Sequence, residues 1–212
     1  MSLSSSQLYT FIDTAYLHGR SAVEIARQLC DGGSDIIQLR SKDLPAEGAL
    51  RLAEQILPIT SRAGVPLVIN DFLSVAIEVK APYCHLGQED FFDAGHRHVD
   101  DIIPQGGSLE MGLSSHGPDQ AKRAVKAGAA YLGVGPVFAT PTKPGATPVT
   151  LGFVRWAAAN VPIPWFAIGG ISLATLETVL AAGARRICVV SAILNAPDIV
   201  RACQDFKRRL SS

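Results

Sequence analysis

Side chains that bind phosphate and metal ions follow the short apolar runs of this 212-residue sequence. Arg40 and Lys42 follow the second run, and Lys143 lies in the segment after the sixth. Three cations suit an anionic substrate that carries phosphate. Asp71 and Asp90 follow the third and fourth runs. Two carboxylates beside a phosphate would repel it unless a further cation lay between them.

Mg²⁺ resolves this conflict, because it is usually held by one or two carboxylates together with phosphate oxygens and water. Asp71 and Asp90 are therefore predicted to be metal ligands. The three cations and Mg²⁺, less the two carboxylates, leave a charge of about +3, which is near that of a diphosphate ester. The residues thus favour a diphosphate over a monophosphate.

A second anion site is indicated at the ends of the last two apolar runs. Gly169-Gly170 and Val190-Ser191 offer backbone N–H groups beside the start of a helix, which is the phosphate cradle that parallel barrels commonly carry. Two anionic substrates, or one long one, follow from this arrangement. Because no nucleophile and base pair stands out, the residues fit chemistry in which diphosphate itself leaves, assisted by cations and metal.

Each of these residues also has a structural explanation when it is taken alone. A strand-end cation is often part of a solvated rim, and Gly169-Gly170 could be a tight turn only. The histidines His96 and His98 lack further ligands at metal-binding spacing and fit a surface loop. The helix-cap alternative applies to Asp71, Asp90, Ser172 and Ser191. The functional interpretation depends on the convergence of these residues at one place.

The elements that must position these residues form a recurring pattern of short apolar runs separated by helical stretches. Glycine closes several of the helical stretches, at Gly33, Gly128 and Gly183, where a residue after a helix adopts positive φ without penalty. The predicted strands are Leu8–Ile12, Asp35–Leu39, Pro66–Ile69, Tyr83–Leu86, Met111–Leu113, Tyr131–Val134, Trp165–Ile168 and Ile187–Val190.

Eight strands alternating with helices predict an α/β fold with parallel strands buried on both faces. We expect a single (β/α)8 TIM barrel domain spanning residues 1–212. An open doubly wound sheet is disfavoured, because no G-x-G-x-x-G follows the first strand. The fourth connection, from Phe91 to Ser108, is the least helix-like and predicts a short or irregular helix.

Composition and charge restrict the kinds of binding partner that are expected. The chain has 19 basic and 19 acidic residues and no net charge, which argues against nucleic acid as a partner. The sequence also contains no apolar run long enough for a membrane span, and a cytoplasmic location is expected. Small-molecule substrates remain the expected partners, and the sequence is compatible with a homo-oligomer. The four cysteines form no metal-binding or disulfide pattern and are expected to be buried free thiols.

Seven motifs, in order and spacing, resemble the thiamine phosphate synthase family, and the likeness covers nearly the whole chain. They are Gln38–Lys42, Ile69–Asp71, His85–Asp90, Gly112–His116, Gly133–Lys143, Ala167–Ile171 and Val189–Ile193. The resemblance implies a TIM barrel that joins a hydroxymethylpyrimidine diphosphate to a thiazole phosphate, with pyrophosphate released. It leaves open whether the thiazole is carboxylated. The implied mechanism is dissociative, with diphosphate leaving first and the thiazole nitrogen capturing a pyrimidine methylene cation.

The resemblance also implies roles for individual residues. Ser114 would lie near the pyrimidine and the reacting centre, and Asp71 and Asp90 would hold Mg²⁺. The pyrimidine diphosphate would be bound by Gln38, Arg40, Lys42, Asn70 and Lys143. The thiazole phosphate would be bound by Thr140, Thr142, Gly169 or Gly170, and Val190-Ser191. The residues expected to act in catalysis are Arg40, Lys42, Ser114 and Lys143.

The sequence departs from the family pattern at Lys80–Cys84, at Ser41 and in the long stretch 91–107, all of which affect scaffold or rim. Two rival functions stay open. One is a thiazole tautomerase of the same barrel, which would move a proton with a histidine such as His116. The other is a phosphate-binding barrel without catalysis. Neither needs two metal carboxylates beside three cations, so the residues favour the synthase.

Overall fold

The computed structural model describes residues 3–142, 145 and 147–211. Eight parallel strands lie in chain order and close into a barrel, which confirms the predicted fold class. The strands are β1 (Leu8–Asp13), β2 (Ile36–Arg40), β3 (Leu67–Asn70), β4 (Tyr83–Leu86), β5 (Glu110–Ser115), β6 (Tyr131–Val134), β7 (Trp165–Ala167) and β8 (Ile187–Val189).

Helices connect the strands. They are α1 (Ala22–Asp31), α2 (Ala46–Arg62), α3 (Leu73–Glu78), α4 (Gln88–Phe92), α5 (Pro118–Lys126), α6 (Thr150–Asn160), α7 (Leu176–Ala181), α8 (Ser191–Leu194) and α9 (Ile199–Leu210). The fourth connection contains only the five-residue α4 and a 3₁₀ turn at Val99–Asp101, so its predicted irregularity is confirmed. No helix among the described residues is long and apolar enough to span a membrane.

The chain forms two compact units. The first comprises the residues up to Cys84 together with those from Val189 onward, and it contains β1, β2, β3 and the C-terminal helix α9. Its strands are buried apolar runs, with β1 buried at all six positions. Helix α9 buries Ile199, Cys203, Phe206 and Leu210, whose spacing is that of one helix face. Lys207 lies in the last turn of the same helix.

The second unit is His85–Cys188, and it contains β5, β6, β7 and helices α4 to α7. Strands β5 and β6 pair in parallel, with Ser114 opposite Gly133. Gly112 is required for packing here, because a Cβ at this position would lie within the ring of the buried Tyr131. The strand pair therefore brings a large aromatic side chain against the backbone of its neighbour.

Several local expectations are confirmed, and others are wrong. Gly33, Gly128 and Gly183 have positive φ angles of 85°, 85° and 100°, as expected for residues that follow a helix. The helix-cap alternative is wrong for both aspartates. Phe72 is the N-cap of α3, and Asp71 instead has a φ of 64° at the turn before it. Asp90 lies inside α4, whose N-cap is Gly87.

The cap alternative also fails for the two serines. Ser172 precedes α7, but the N-cap of that helix is Thr175, whose hydroxyl accepts from the Ser172 backbone N–H at 2.9 Å. Ser191 is the first residue of α8, after the N-cap Val190. Capping therefore explains none of Asp71, Asp90, Ser172 and Ser191.

Candidate active site

In the first unit, β1 and β2 end in a charged pair. Their parallel register places Asp13 beside Arg40, and Asp13 Oδ2 accepts a hydrogen bond from Arg40 Nη1 at 2.7 Å. The Asp13 side chain is 1% exposed and that of Arg40 is 20% exposed. The other carboxylate oxygen of Asp13 accepts from the backbone N–H of Ala15 at 3.1 Å. Arg40 is thus hydrogen-bonded to a carboxylate that a backbone N–H also holds in place.

Gln38 lies two residues before Arg40 on β2, so its side chain is on the same face of the strand. It is buried, and its Nε2 donates to the Tyr9 hydroxyl at 2.7 Å. The Tyr9 ring stacks on Phe11, with ring centroids 5.3 Å apart. An amide oriented by a tyrosine beside stacked aromatic rings can bind a flat heterocycle that carries hydrogen-bonding groups.

The end of β3 supplies a second charged pair. Lys42 Nζ forms an ion pair with Asp71 Oδ2. Asn70, the last residue of β3, is buried, and its backbone carbonyl accepts from the Phe72 backbone N–H at 2.8 Å. The Lys42 side chain is 56% exposed, so this pair is held much less firmly than Asp13–Arg40. Solvent and incoming ions can compete for either partner.

The first unit also contains the end of β8. Val190 is the N-cap of the four-residue α8, and Ser191 is its first residue. The first N–H groups of any helix have no acceptor within that helix. The structure therefore places Val190-Ser191 at a turn whose backbone N–H groups are suited to an anion, although α8 is short.

In the second unit, β4, β5 and β6 bring together a histidine, a serine and a tyrosine. His85 Nε2 is hydrogen-bonded to Ser114 Oγ at 3.1 Å, and His85 Nδ1 to the Tyr131 hydroxyl at 3.2 Å. The adjacent Ser115 is buried and donates to the Gly133 carbonyl at 3.0 Å. Ser114, predicted near the reacting centre, therefore ends a chain of polar groups.

Asp90 is the third residue of α4 and is exposed. Its carboxylate folds back over Gly87, where a Cβ would collide with Asp90 Oδ2. Gln88, at the start of the same helix, is buried and accepts from Arg123 Nη2 at 3.1 Å. The first turn of α4 is thus held against α5. It carries the Asp90 carboxylate next to Gly87, which has no side chain to block it.

The loop after β6 packs on Gly169 and Gly170. The backbone N–H groups of Val137 and Phe138 donate to the carbonyls of Ile168 and Gly169, at 2.8 and 3.1 Å. Both glycines have positive φ, and a Cβ on either would collide with the loop. The glycine pair therefore does more than permit a tight turn, because it also admits the loop that carries the predicted threonines.

The loop itself is ordered locally by one of those threonines. Thr140 Oγ1 accepts from the Thr142 backbone N–H at 3.3 Å. His116, at the end of β5, has its Nδ1 on the Gly135 carbonyl and its Nε2 4.0 Å from Glu89 Oε1. The predicted cation Lys143 lies outside the described residues, so the structure places the loop only up to Thr142.

The carboxylates of Asp71 and Asp90, each considered within its own unit, have the donor chemistry that a divalent metal ion such as Mg²⁺ prefers. Asp71 carries its carboxylate on a turn of positive φ beside Lys42, and Asp90 carries its own on an exposed helix turn. No group of three or more histidine, cysteine or acidic residues able to hold a metal occurs in the described part of the chain. A site with one or two carboxylates, completed by phosphate oxygens and water, is the Mg²⁺ type and not the zinc type.

Four residues of these clusters were absent from the predicted site. Tyr9 and Tyr131 lie within apolar runs, where the sequence gives no sign of a polar partner. His85 likewise lies within the run Tyr83–Leu86, whereas Asp13 directly follows the run Leu8–Ile12 and could have been assigned by the strand-end rule. Within the first unit the structure brings together Gln38 with Tyr9, Arg40 with Asp13, and Lys42 with Asp71.

The closed parallel barrel places the chain in the class of (β/α)8 barrels, many of which bind phosphate at the carboxyl ends of their strands. The sequence profile described as thiamine monophosphate synthase matches residues 8–193. The chain belongs to this family.

Individual relatives agree with the family match. The chain is 46% identical over 181 residues to the thiamine-phosphate synthase of Thermus thermophilus, covering 84% of each chain. It is 39% identical over 215 residues to that of Acidothermus cellulolyticus, covering 100% of this chain and 98% of the relative. The solved thiamine phosphate pyrophosphorylase from Pyrococcus furiosus superposes with a TM-score of 0.86 at 28% identity, covering 99% and 97% of the two chains. These likenesses support thiamine-phosphate synthase function, a transferase activity of thiamine biosynthesis.

Proposed function

We propose that the chain joins 4-amino-2-methyl-5-hydroxymethylpyrimidine diphosphate to 4-methyl-5-(2-phosphoethyl)thiazole and releases pyrophosphate. If the thiazole is the carboxylated form, its carboxyl group is also released, as carbon dioxide. One observation carries the proposal: Arg40 and Lys42, which alternate at the end of β2, each pair with a carboxylate from a neighbouring strand end. Oriented cations of this kind are what a departing diphosphate requires, because negative charge accumulates on its oxygens as it leaves.

The pyrimidine diphosphate is assigned to Gln38, Arg40, Lys42, Asn70 and Lys143. Gln38 supplies an amide held by the Tyr9 hydroxyl, which suits the ring nitrogen and amino groups of the pyrimidine. Arg40 and Lys42 supply charge for the phosphates, and Asn70 adds an amide at the neighbouring strand end. Strands of a parallel barrel present their carboxyl ends on one face, which is why residues after different strands are assigned to one substrate.

Mg²⁺ is assigned to Asp71 and Asp90. When bound, the ion would neutralise charge on the diphosphate as it leaves. Lys42 would then exchange its ion pair with Asp71 for a phosphate oxygen, which its exposed position allows. Asp71 and Lys42 thus keep each other's charge balanced before the substrate arrives.

The thiazole phosphate is assigned to Thr140, Thr142, Gly169, Gly170, Val190 and Ser191. The support is that backbone N–H groups beside positive-φ glycines and at helix starts favour anions. Thr140 holds the loop in a compact turn through the Thr142 N–H. Its hydroxyl, and that of Ser191, can donate to a phosphate oxygen.

The reaction proposed is a dissociative substitution. The bond between the pyrimidine methylene carbon and the diphosphate oxygen breaks first, and its electron pair leaves with the diphosphate. The thiazole nitrogen then donates its lone pair to the methylene cation and forms the new C–N bond. Ser114 lies at the end of the His85 chain and would contact the pyrimidine there. No general base is required, which agrees with the residues assigned.

The deciding experiment measures pyrophosphate release by the purified protein with both substrates, with each substrate alone, and with Mg²⁺ removed by chelation. We expect release only when both substrates and Mg²⁺ are present. Isomerisation of the thiazole alone, without pyrophosphate, would instead assign the tautomerase function, with His116 the residue to test. Binding of phosphate ligands without turnover would assign a non-catalytic barrel. We further propose a cytoplasmic location, where phosphorylated metabolites are made and used.

A further inference from the structure

The proposed function leaves the buried charged group at the end of β1 without a role. Asp13 is the last residue of β1, and its carboxylate is almost completely withdrawn from solvent. Burying a carboxylate costs free energy unless it is paired and hydrogen-bonded. Both of its oxygens are engaged, one by Arg40 and the other by the Ala15 N–H.

Charge balance alone does not explain this arrangement. Arginine side chains in proteins are cationic without a carboxylate beside them. A carboxylate beside the cation also reduces its attraction for an anionic substrate. Asp13 caps the 3₁₀ turn Thr14–Tyr16 with one carboxylate oxygen, and its other oxygen holds the guanidinium of Arg40.

Fixing the guanidinium has a clear physical benefit. An arginine side chain has several rotatable bonds, and ordering it costs free energy each time a ligand binds. The carboxylate of Asp13 is fixed by the strand register and by its bond to Ala15, so it holds Nη1 of Arg40 before the substrate arrives. Preorganised donors stabilise developing charge without having to reorient during the reaction.

We propose that Asp13 is a positioning residue that orients Arg40 for the diphosphate of the substrate. The proposal rests on the proposed function in one respect, namely that Arg40 binds a diphosphate. Asp13 itself touches neither substrate nor metal. Asp71, the partner of Lys42, differs from Asp13, because it is only half-buried and is assigned to the metal.

The chain offers a matched control on the same two strands. Asp35 lies directly before β2 and is also a buried aspartate paired with a cation, Lys207 Nζ at 2.7 Å. It accepts in addition from the backbone N–H groups of Gln7 and Leu8, both at 2.8 Å. Asp35 stands at the opposite end of the strand pair from Asp13. A loss of a buried ion pair in general is therefore separable from a loss of Arg40 orientation.

The test uses inorganic pyrophosphate with Mg²⁺ as a ligand that requires no turnover, measured by calorimetry on the full-length protein. Asp13→Asn keeps the side-chain shape and the acceptor for Ala15 but removes the charge that holds Arg40. We expect pyrophosphate affinity to fall about 10- to 100-fold, the scale of a misplaced binding group. With substrates, KM for the pyrimidine diphosphate should rise while KM for the thiazole phosphate changes less than about twofold.

A double-mutant cycle isolates the coupling. In an Arg40→Met background, Asp13→Asn should change pyrophosphate affinity by less than about twofold, because the group it orients is gone. Asp35→Asn should lower the melting temperature and leave pyrophosphate affinity unchanged. Equal losses with and without Arg40, or no loss in either background, would overturn the proposal. If Asp13→Asn does not fold, Asp13→Glu enters the same cycle, because its longer side chain displaces Arg40 while retaining the charge.

The outcomes separate this inference from the proposed function. Coupling between Asp13 and Arg40 in pyrophosphate binding, with no thiamine phosphate formed by the wild-type protein, supports the positioning role and refutes the synthase. Product formation without coupling supports the synthase and refutes the positioning role. A wild-type protein that binds no pyrophosphate and forms no thiamine phosphate refutes both.

Discussion

The two ends of the β1–β2 strand pair use the same chemistry for different purposes. At the carboxyl end, Asp13 pairs with Arg40. At the amino end, Asp35 pairs with Lys207 and also accepts from two backbone N–H groups of the segment entering β1. Both aspartates are buried, and both partners keep some contact with solvent.

The difference lies in what each cation joins. Lys207 belongs to α9, so its ion pair attaches the C-terminal helix to the start of the sheet. Arg40 belongs to the strand beside Asp13, so its ion pair joins nothing that the backbone register has not already joined. In parallel barrels the amino ends of strands serve stability and the carboxyl ends serve function. If Arg40 has the role proposed for it, this division exists within a single strand pair.

We call the Asp13–Arg40 pair at the carboxyl end the upper pair and the Asp35–Lys207 pair at the amino end the lower pair. The largest expected effect comes from removing the cation of the upper pair. Arg40→Met removes a donor for the departing diphosphate, and we expect kcat/KM to fall about 10³-fold. It also leaves Asp13 buried without its partner, which should cost about 3 kcal/mol of unfolding free energy. Steady-state pyrophosphate release and urea unfolding measure the two effects. Lys207→Met is the control for removing a cation, and it should change kcat/KM less than about twofold.

The lower pair should give the opposite result. Asp35→Asn weakens the ion pair with Lys207 and the acceptors for the N–H groups of Gln7 and Leu8. We expect a loss of about 2 to 3 kcal/mol in unfolding free energy, with kcat/KM of the folded protein unchanged. A fall in kcat/KM comparable to that of Arg40→Met would show that the two ends are not functionally distinct.

The exposed ion pair between Lys42 and Asp71 gives a third case to compare with the two buried ion pairs. Because Lys42 is largely exposed, Asp71→Asn should change unfolding free energy by less than about 1 kcal/mol. As a metal ligand, however, Asp71 should be needed for Mg²⁺, and we expect the Mg²⁺ concentration for half-maximal rate to rise about tenfold. An unchanged Mg²⁺ requirement, measured by titrating the metal into chelator-treated protein, would remove Asp71 from the metal site.

The sequence predicted what depends on local pattern. Strand positions and the positive-φ glycines Gly33, Gly128 and Gly183 follow from apolar runs and helix ends, and the structure confirms them. It could not predict the role of Asp13, whose partner is 27 positions away and becomes adjacent only through the register of β1 and β2. The same limit applies to Asp35 and Lys207, which are 172 positions apart. Ion pairs that form only in the tertiary fold produce no periodic pattern in the sequence.

The smallest expected effect concerns how firmly the lower pair holds α9. Cys203 lies one turn before Lys207 on that helix, where it is fully buried and near Ser34 Oγ at 3.9 Å. Burial raises the pKa of the Cys203 thiol to about 12, so at pH 8 the native protein holds it as an unreactive thiol.

Lys207→Met should make α9 open more often, because the helix loses its ion pair to Asp35. Opening returns the thiol towards its ordinary pKa and exposes it to alkylating reagents. A loss of about 1 kcal/mol in local stability corresponds to labelling about fivefold faster, measured at pH 8 by peptide mass spectrometry. Asp13→Asn is the matched comparison, since it alters a buried aspartate at the other strand ends and should leave Cys203 labelling unchanged. Equal acceleration in both variants would mean that the two ion pairs support the same cooperative unit, and the functional division between the two ends would then rest on activity alone.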